Sequence, residues 1–329
     1  MTDIATPTGI LLGRYTPGTP EWDQARAGLT ITATEIAAVM GLSPWMSRFS
    51  LWHKKAGLPT PPFQANPAME WGNRLEDAVA RKYADEHGAQ LASTGTWRHA
   101  EREWQRATPD RLLVASCDCG LHQADCCDPK DCGPCCERCP TCLTLALPPS
   151  ALLEVKTSPF GDGWGPSGSD EIPVHYRCQV QWQLDTLGLK TCHVALLIGG
   201  WDYREYVIEY DETDAKVMRG AAERFLDDVR RGVRPPIDGA DATYQTIRVQ
   251  PNGREDVDVE IPLGLAVRFD LAQEQAKSAG EELTAARGEV LDCIGGGHRA
   301  VCEGRRIAYR TVNADGTTHA LQPYRSTAA

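Results

Sequence analysis

Leu152-Leu153-Glu154-Val155-Lys156-Thr157 places two opposite charges inside an otherwise apolar run. A short apolar run of this kind reads as a buried strand, expected here over Ala151–Val155. Alternation along a strand puts Glu154 and Lys156 on one face, two residues apart, with their aliphatic neighbours against a core. Two readings follow. The pair is either a solvated strand face with a cross-strand ion pair, or a chemical site. An E-x-K triplet is short and common, so it does not decide between them alone.

The upstream sequence supplies a partner. Thr108-Pro109-Asp110 leads into a second short apolar strand, Arg111–Ala115. If the two strands are neighbours, Asp110 and Glu154 make an oxygen-rich site for Mg²⁺ or Mn²⁺, hard cations that prefer carboxylates. Such an ion polarises a phosphodiester and acidifies a bound water, and Lys156 beside it would orient that water and offset developing negative charge. The 44-residue separation of Asp110 and Glu154 is too long for a hairpin. Removing the cysteine-rich segment 116–150 leaves about ten residues, an ordinary connection. The segment therefore reads as an insertion at the tip of a hairpin.

Nine of the thirteen cysteines lie between Cys117 and Cys142. Cys132-x-x-Cys135 and Cys139-x-x-Cys142 have the spacing with which two thiolates share a tetrahedral Zn²⁺. Cys117, Cys119, His122, Cys126, Cys127 and Cys136 complete a ligand set for one or two structural zinc ions. An iron–sulfur cluster and a reduced, unliganded loop are the alternatives.

Around this hairpin the pattern is that of mixed helices and strands. Thr32 and Glu35 fit a capping box that opens a helix toward Met40, and Ser47–Ala56 is a second helix. From Ala68 to His87, Trp71, Leu75, Val79 and Tyr83 recur every four residues as an apolar stripe, and Glu76 flanks it. A third strand is expected at Thr94–His99. Val174–Leu187 reads as a helix, Val194–Gly199 and Arg204–Tyr210 as strands, and Asp214–Arg231 as an amphipathic helix. Ser158–Asp170 is glycine-rich and expected to be mobile. A boundary is placed near 238, giving a domain over 1–238 and an extension over 239–329. That extension comprises a long helix, Leu263–Leu291, and a hairpin, Arg305–Thr311 with Thr318–Pro323. The net charge of −11 argues against a uniformly basic nucleic-acid binder but not against a local basic patch. No apolar run approaches the roughly 20 residues of a membrane span, and no signal-peptide pattern opens the chain. A cytoplasmic protein is expected.

The stretches WDQARAGLTITATEIAAVMGLSPW and MEWGNRLEDAVARKY, then TPD, LLEVKT and HYRCQVQWQL, occur in that order within about residues 20–235, less the insertion. With this order the chain resembles the YqaJ-like viral recombinases, the lambda-exonuclease branch of the PD-(D/E)xK nucleases. The resemblance implies an α/β (α+β) core like that of restriction endonucleases, a central mixed sheet flanked by helices. It implies Mg²⁺-dependent 5′→3′ digestion of linear double-stranded DNA during phage-type recombination, with two metal ions. The partners it implies are DNA ends, a RecT-like or lambda Beta-like single-strand annealing protein, and further copies of the chain in a ring. Asp110 and Glu154 would hold the metals with the backbone carbonyl of Val155, and Glu76 would complete their shell. Lys156 would position water, Gln179 would sit beside the site, and Arg26 with Thr34 would grip the 5′-phosphate. Thr34, expected in the first turn of a helix, suits an anion on its own account. An endonuclease or repair nuclease of the same superfamily, and a non-catalytic zinc-dependent DNA-binding protein, are the competing functions.

Overall fold

The computed structural model describes residues 5–16, 18–62, 64, 66–114, 149–250, 253 and 255–324. In chain order the strands are β1 (Gly9–Gly13), β2 (Ile31–Thr32), β3 (Gln90–Ser93), β4 (Thr96–His99), β5 (Gln105–Ala107), β6 (Arg111–Val114), β7 (Pro149–Ser158), β8 (Thr191–Ile198), β9 (Asp202–Glu209), β10 (Arg299–Cys302), β11 (Arg305–Val312) and β12 (Thr318–Pro323). The helices are α1 (Pro20–Arg26), α2 (Ile36–Val39), α3 (Arg48–Lys55), α4 (Pro67–His87), α5 (Val174–Leu187), α6 (Glu212–Arg230), α7 (Asp241–Arg248) and α8 (Leu263–Ile294). The chain divides into two compact units, 1–252 and 253–329.

The central sheet of the first unit runs β3-β6-β7-β8-β9. It is mixed, because β7 pairs antiparallel with β6 but parallel with β8. The expected α/β class, a mixed sheet flanked by helices, is therefore present. Strand β7 is longer than its apolar core suggested, since Pro149 at one end and Lys156–Ser158 at the other still find ladder partners, with Ser150 at a register shift.

Each face of β7 has its own helix. Leu153 and Val155 pack with Val79, Ala80 and Tyr83 of α4. Leu152 joins Trp182 and Leu184 of α5 in the larger core on the other face. Helix α4 is capped by the Asn66 side chain, which accepts the Met69 N–H at 2.9 Å, and stops at Gly88 with φ 58°. Its apolar stripe is buried only toward the C-terminus. Trp71 is exposed, whereas Val79 and Tyr83 are buried. Close approach at the N-terminal end falls to Gly72, where a Cβ would meet Thr157 Oγ1 at 3.2 Å.

A smaller sheet, β1-β4-β5-β2, packs on the other side of α5. Asp185 ties the pieces together. Its carboxylate accepts from Arg102 (3.0 Å), Gln105 (2.8 Å), Tyr210 (2.8 Å) and Arg219 (2.5 Å). Four donor groups thus converge on one buried acid, which satisfies the charge.

Three expectations change. The first unit extends past 238, because α7 docks on α3 through hydroxyls. Thr243 Oγ1 donates to Ser47 Oγ at 2.6 Å, and Thr246 Oγ1 donates to Ser50 Oγ at 2.8 Å. The glycine-rich loop is fastened rather than free. Trp164 is buried, Tyr206 and Arg204 donate to Gly165 O, and Gly168 N–H donates to Glu205 O. The helix expected from Thr32 is only the four residues of α2. In the second unit, Val290, Leu291 and Ile294 of α8 pack against the three-stranded sheet β10-β11-β12. No helix among the described residues is long and apolar enough to cross a membrane.

Candidate active site

Arg111 of β6 faces Leu153 of β7, and the antiparallel register carried one step outward sets Asp110 opposite Glu154. Opposed positions in such a pair have Cβ atoms roughly 5 Å apart. The Val155 N–H closes the corner by donating to Asp110 Oδ2 at 2.7 Å. Glu154, only 1% exposed, is held on all sides. Its Oε1 accepts from Lys156 Nζ at 2.5 Å and from Gln179 Nε2, and its Oε2 accepts from Gln183 Nε2 at 2.9 Å. Both glutamines come from α5, where a four-residue step keeps them on one face.

The electrostatics follow from burial. Asp110 has its carboxyl pushed well above the ordinary range, first by loss of water and then by the Glu154 charge, against the opposing pull of Lys156. The Lys156 ammonium is raised. Burial lowers it, but Glu154 and Asp110 together outweigh that. Two buried carboxylates thus share one ammonium, which leaves the centre short of positive charge. The donor set is oxygen only, which suits a hard divalent cation such as Mg²⁺ or Mn²⁺ and not a soft one.

Glu76 is paired with Arg111, close enough for its charge to add to the upward push on the Asp110 carboxyl. Strand alternation puts Arg111 on the α4 face, and there its guanidinium donates to Glu76 Oε1 at 2.8 Å and to Asp77. No three Asp, Glu, His or Cys side chains among the described residues converge as a metal cluster. Of the residues expected around a metal, Asp110 and Glu154 stand side by side, and the Glu76 side chain is paired with Arg111. The zinc candidates Cys117, Cys119, His122, Cys126, Cys127, Cys132, Cys135, Cys136, Cys139 and Cys142 lie outside the described residues.

Arg26 and Thr34 do come together, with Arg26 Nη2 donating to Thr34 Oγ1 at 3.0 Å and reaching Thr32 Oγ1 at 3.5 Å. Thr34 lies in the turn before α2 rather than inside a helix. Beneath them Glu35 is buried, accepting from Thr32 N–H (3.1 Å), Lys54 (3.0 Å) and Lys55 (2.9 Å). Its pKa falls to about 2, because the two ammoniums overcome the upward push of burial. The Arg26 pKa is lowered by burial, with Glu35 and Asp23 opposing.

Residues 21–190, just over half of the chain, match the YqaJ-like viral recombinase domain. The chain belongs to that family. A curated relative, the uncharacterised YqaJ of Bacillus subtilis strain 168, is 25% identical over 224 residues, covering 66% of this chain. The chain spans 59% of that relative's length. Similar solved structures include LHK-Exo, an alkaline exonuclease from Laribacter hongkongensis, in a complex with dAMP. It is 18% identical with a TM-score of 0.44, over 65% of this chain and 94% of that one. A phage related exonuclease from Haemophilus somnus 129PT is 13% identical with a TM-score of 0.37, over 62% and 96% of the two chains. The family match spans Asp110, Glu154, Lys156 and Gln179 as well as Arg26 and Thr34.

Sequence reasoning missed Gln183 and Lys55, and it read Glu35 only as the capping-box partner of Thr32, whose N–H Glu35 does accept. Gln183 sits four residues after Gln179, the one signal that both would share a helical face. The intervening Gln181 does something else, fastening α5 to Glu209 O and to Asp211 N–H.

Proposed function

We propose that this chain is a Mg²⁺- or Mn²⁺-dependent DNA exonuclease, digesting linear double-stranded DNA 5′→3′ in phage-type recombination. The observation that carries the reading is the juxtaposition of Asp110 and Glu154 across β6 and β7, with Lys156 on Glu154. Asp110, Glu154 and the Val155 carbonyl would hold the ions, and Glu76 would join them on leaving Arg111. A bound divalent ion would supply Lewis-acid polarisation of the phosphodiester and would make a bound water more acidic than bulk water.

The chain's own residues do the rest. Gln179 and Gln183 fix the Glu154 carboxylate so that it cannot rotate. Lys156, kept charged by its two acidic neighbours, would hydrogen-bond the water and the phosphoryl oxygens and offset charge in the transition state. The half-buried Arg26 and the exposed Thr34 would present a guanidinium and a hydroxyl to the 5′-phosphate. The Cys117–Cys142 segment as a structural zinc module, a single-strand annealing partner, a ring of identical chains and action in the cytoplasm belong to the same proposal.

The test is digestion of linear and closed circular duplexes, with the linear one carrying 5′-phosphate or 5′-hydroxyl ends. The expected result is Mg²⁺-dependent loss of the linear substrate, faster from phosphorylated ends, and an intact circle. Arg26→Ala should remove the preference for 5′-phosphate. Nicking of the circle would overturn the exonuclease assignment.

A further inference from the structure

Three indoles are exposed among the described residues, those of Trp45, Trp71 and Trp201. Only Trp45 of these has ring contacts leading to the candidate active site. It is 66% exposed, lies edge-on to His175 at 4.7 Å between centroids, and is 5.9 Å from Tyr176. The Lys156 ammonium lies 5.0 Å from the centroid of that same tyrosine ring. An exposed indole is therefore joined to the Lys156 ammonium through one intervening aromatic ring.

The loop holds Trp45 out deliberately. Ser43 Oγ accepts from the N–H groups of both Trp45 (3.3 Å) and Met46 (3.2 Å). Met46 packs into the core, and the buried Ser47 caps α3 by accepting from Ser50 N–H. Anchors on both sides thus fix a position whose own side chain stays in solvent. On the other side of the ring stack, Trp164 backs Tyr176 at 5.5 Å, so the tyrosine cannot swing away. Burial and Lys156 both lower the His175 pKa, so its imidazole adds no charge to the stack at neutral pH. Trp52, seven residues on, is buried and serves the core instead.

Every nucleobase offers a π-face, and exposed aromatics beside a backbone-binding site capture bases through it. We propose that Trp45, braced by His175 and Tyr176, is a stacking step for a nucleobase near the phosphodiester cleaved at Lys156. The inference rests on the nuclease reading above. The ring-to-ring and ring-to-ammonium steps match a reach of a few nucleotides at roughly 3.4 Å each along a strand.

The experiment uses the full chain with a DNA end carrying 2-aminopurine at the terminal positions, either as a blunt duplex or as a single strand. Binding is read in EDTA from quenching of the fluorescent base, and steady-state cleavage is read in Mg²⁺. Trp45→Ala should raise KM about tenfold with kcat within about threefold, and should abolish the quenching. Trp45→Phe should restore most of both. Trp45→Leu, as apolar but without a π-face, should behave as Trp45→Ala does, and it replaces that variant if the alanine protein does not fold. Quenching with the blunt duplex assigns the terminal base pair, and quenching with the single strand alone assigns an unpaired base. Either supports the step. Unchanged KM and unchanged quenching in Trp45→Leu would overturn it while leaving the nuclease reading intact. A wild-type chain that neither binds nor cuts DNA would remove both.

Discussion

Replacing Glu35 by glutamine should destabilise the protein at neutral pH, and the penalty should fade in acid. Glu35 lies under Arg26 and Thr34 with a side chain 7% exposed, against Lys55 at 4% and Lys54 at 53%. Its pKa drops from 4.5 to about 2, which corresponds to about 3 kcal/mol of stabilisation at pH 7. Two corrections reduce this figure. Much of the Lys54 attraction is screened by solvent. The Lys55 pKa is lowered, chiefly by burial, so that ammonium is in net deficit even beside its partner. The substitution also leaves Lys55 buried without a counter-charge, which offsets these reductions. Breaking a buried pair in this way typically costs about 3–5 kcal/mol. The expected loss at pH 7 is about 3 kcal/mol, a shift of about 1 M or more in the urea midpoint.

The sign of the pH dependence follows from linkage. A carboxylate with a depressed folded-state pKa gives its full stabilisation above the unfolded pKa, here 4.5, and loses it as pH falls through about 2. Urea unfolding of wild type and Glu35→Gln, followed by circular dichroism at pH 7, 5, 4 and 3, measures the difference. It should be constant from pH 7 to 5 and shrink steadily below. A difference under about 1 kcal/mol at pH 7, or one that stays flat down to pH 3, would refute the reasoning.

Other outcomes are expected of the candidate active site. Lys156→Ala and Glu154→Ala should each lower cleavage by about a hundred- to thousandfold or more while far-ultraviolet dichroism stays native; near-normal turnover in either would remove the site assignment. Asp110→Asn should abolish cleavage yet raise the melting temperature of the metal-free protein, since it removes a carboxylate whose pKa burial and Glu154 push up while an amide oxygen can still accept from Val155 N–H. A lower melting temperature would show that Asp110 is not under electrostatic stress. Millimolar Mg²⁺ should raise the melting temperature of the wild type but not of Asp110→Asn, and EDTA should stop cleavage; equal shifts in both proteins would mean that the cation binds elsewhere. Thr243→Val together with Thr246→Val should loosen α7 from α3, seen as new proteolytic cleavage near residues 232–240 in limited digestion.

The hairpin was legible because charge inside an apolar strand is costly and therefore informative. Glu154 and Lys156 could be placed on one face from alternation alone, and Val174–Leu187 was readable from end to end. What escaped was of three physical kinds. Strands of two to five residues, such as Ile31–Thr32, Gly9–Gly13 and Gln105–Ala107, are too short for a period to show. Helix α7 docks through Ser47, Ser50, Thr243 and Thr246, and a hydroxyl interface leaves no apolar stripe to find. Arg111 seemed only the first residue of a strand, and its capture of Glu76 depends on which face of the sheet α4 covers, a tertiary fact that no local pattern holds.

Val114 and Pro149 are ladder partners, so the chain leaves β6 and re-enters β7 at adjacent points. The two ends of the intervening segment are thereby held side by side on the ladder. Its length can change without shifting any hydrogen-bonded pair nearer Asp110, and the closure entropy grows by only about 0.6 kcal/mol for each doubling. Replacing 116–148 with a short glycine-containing turn should therefore leave the hairpin register, and the chemistry beside it, as they are.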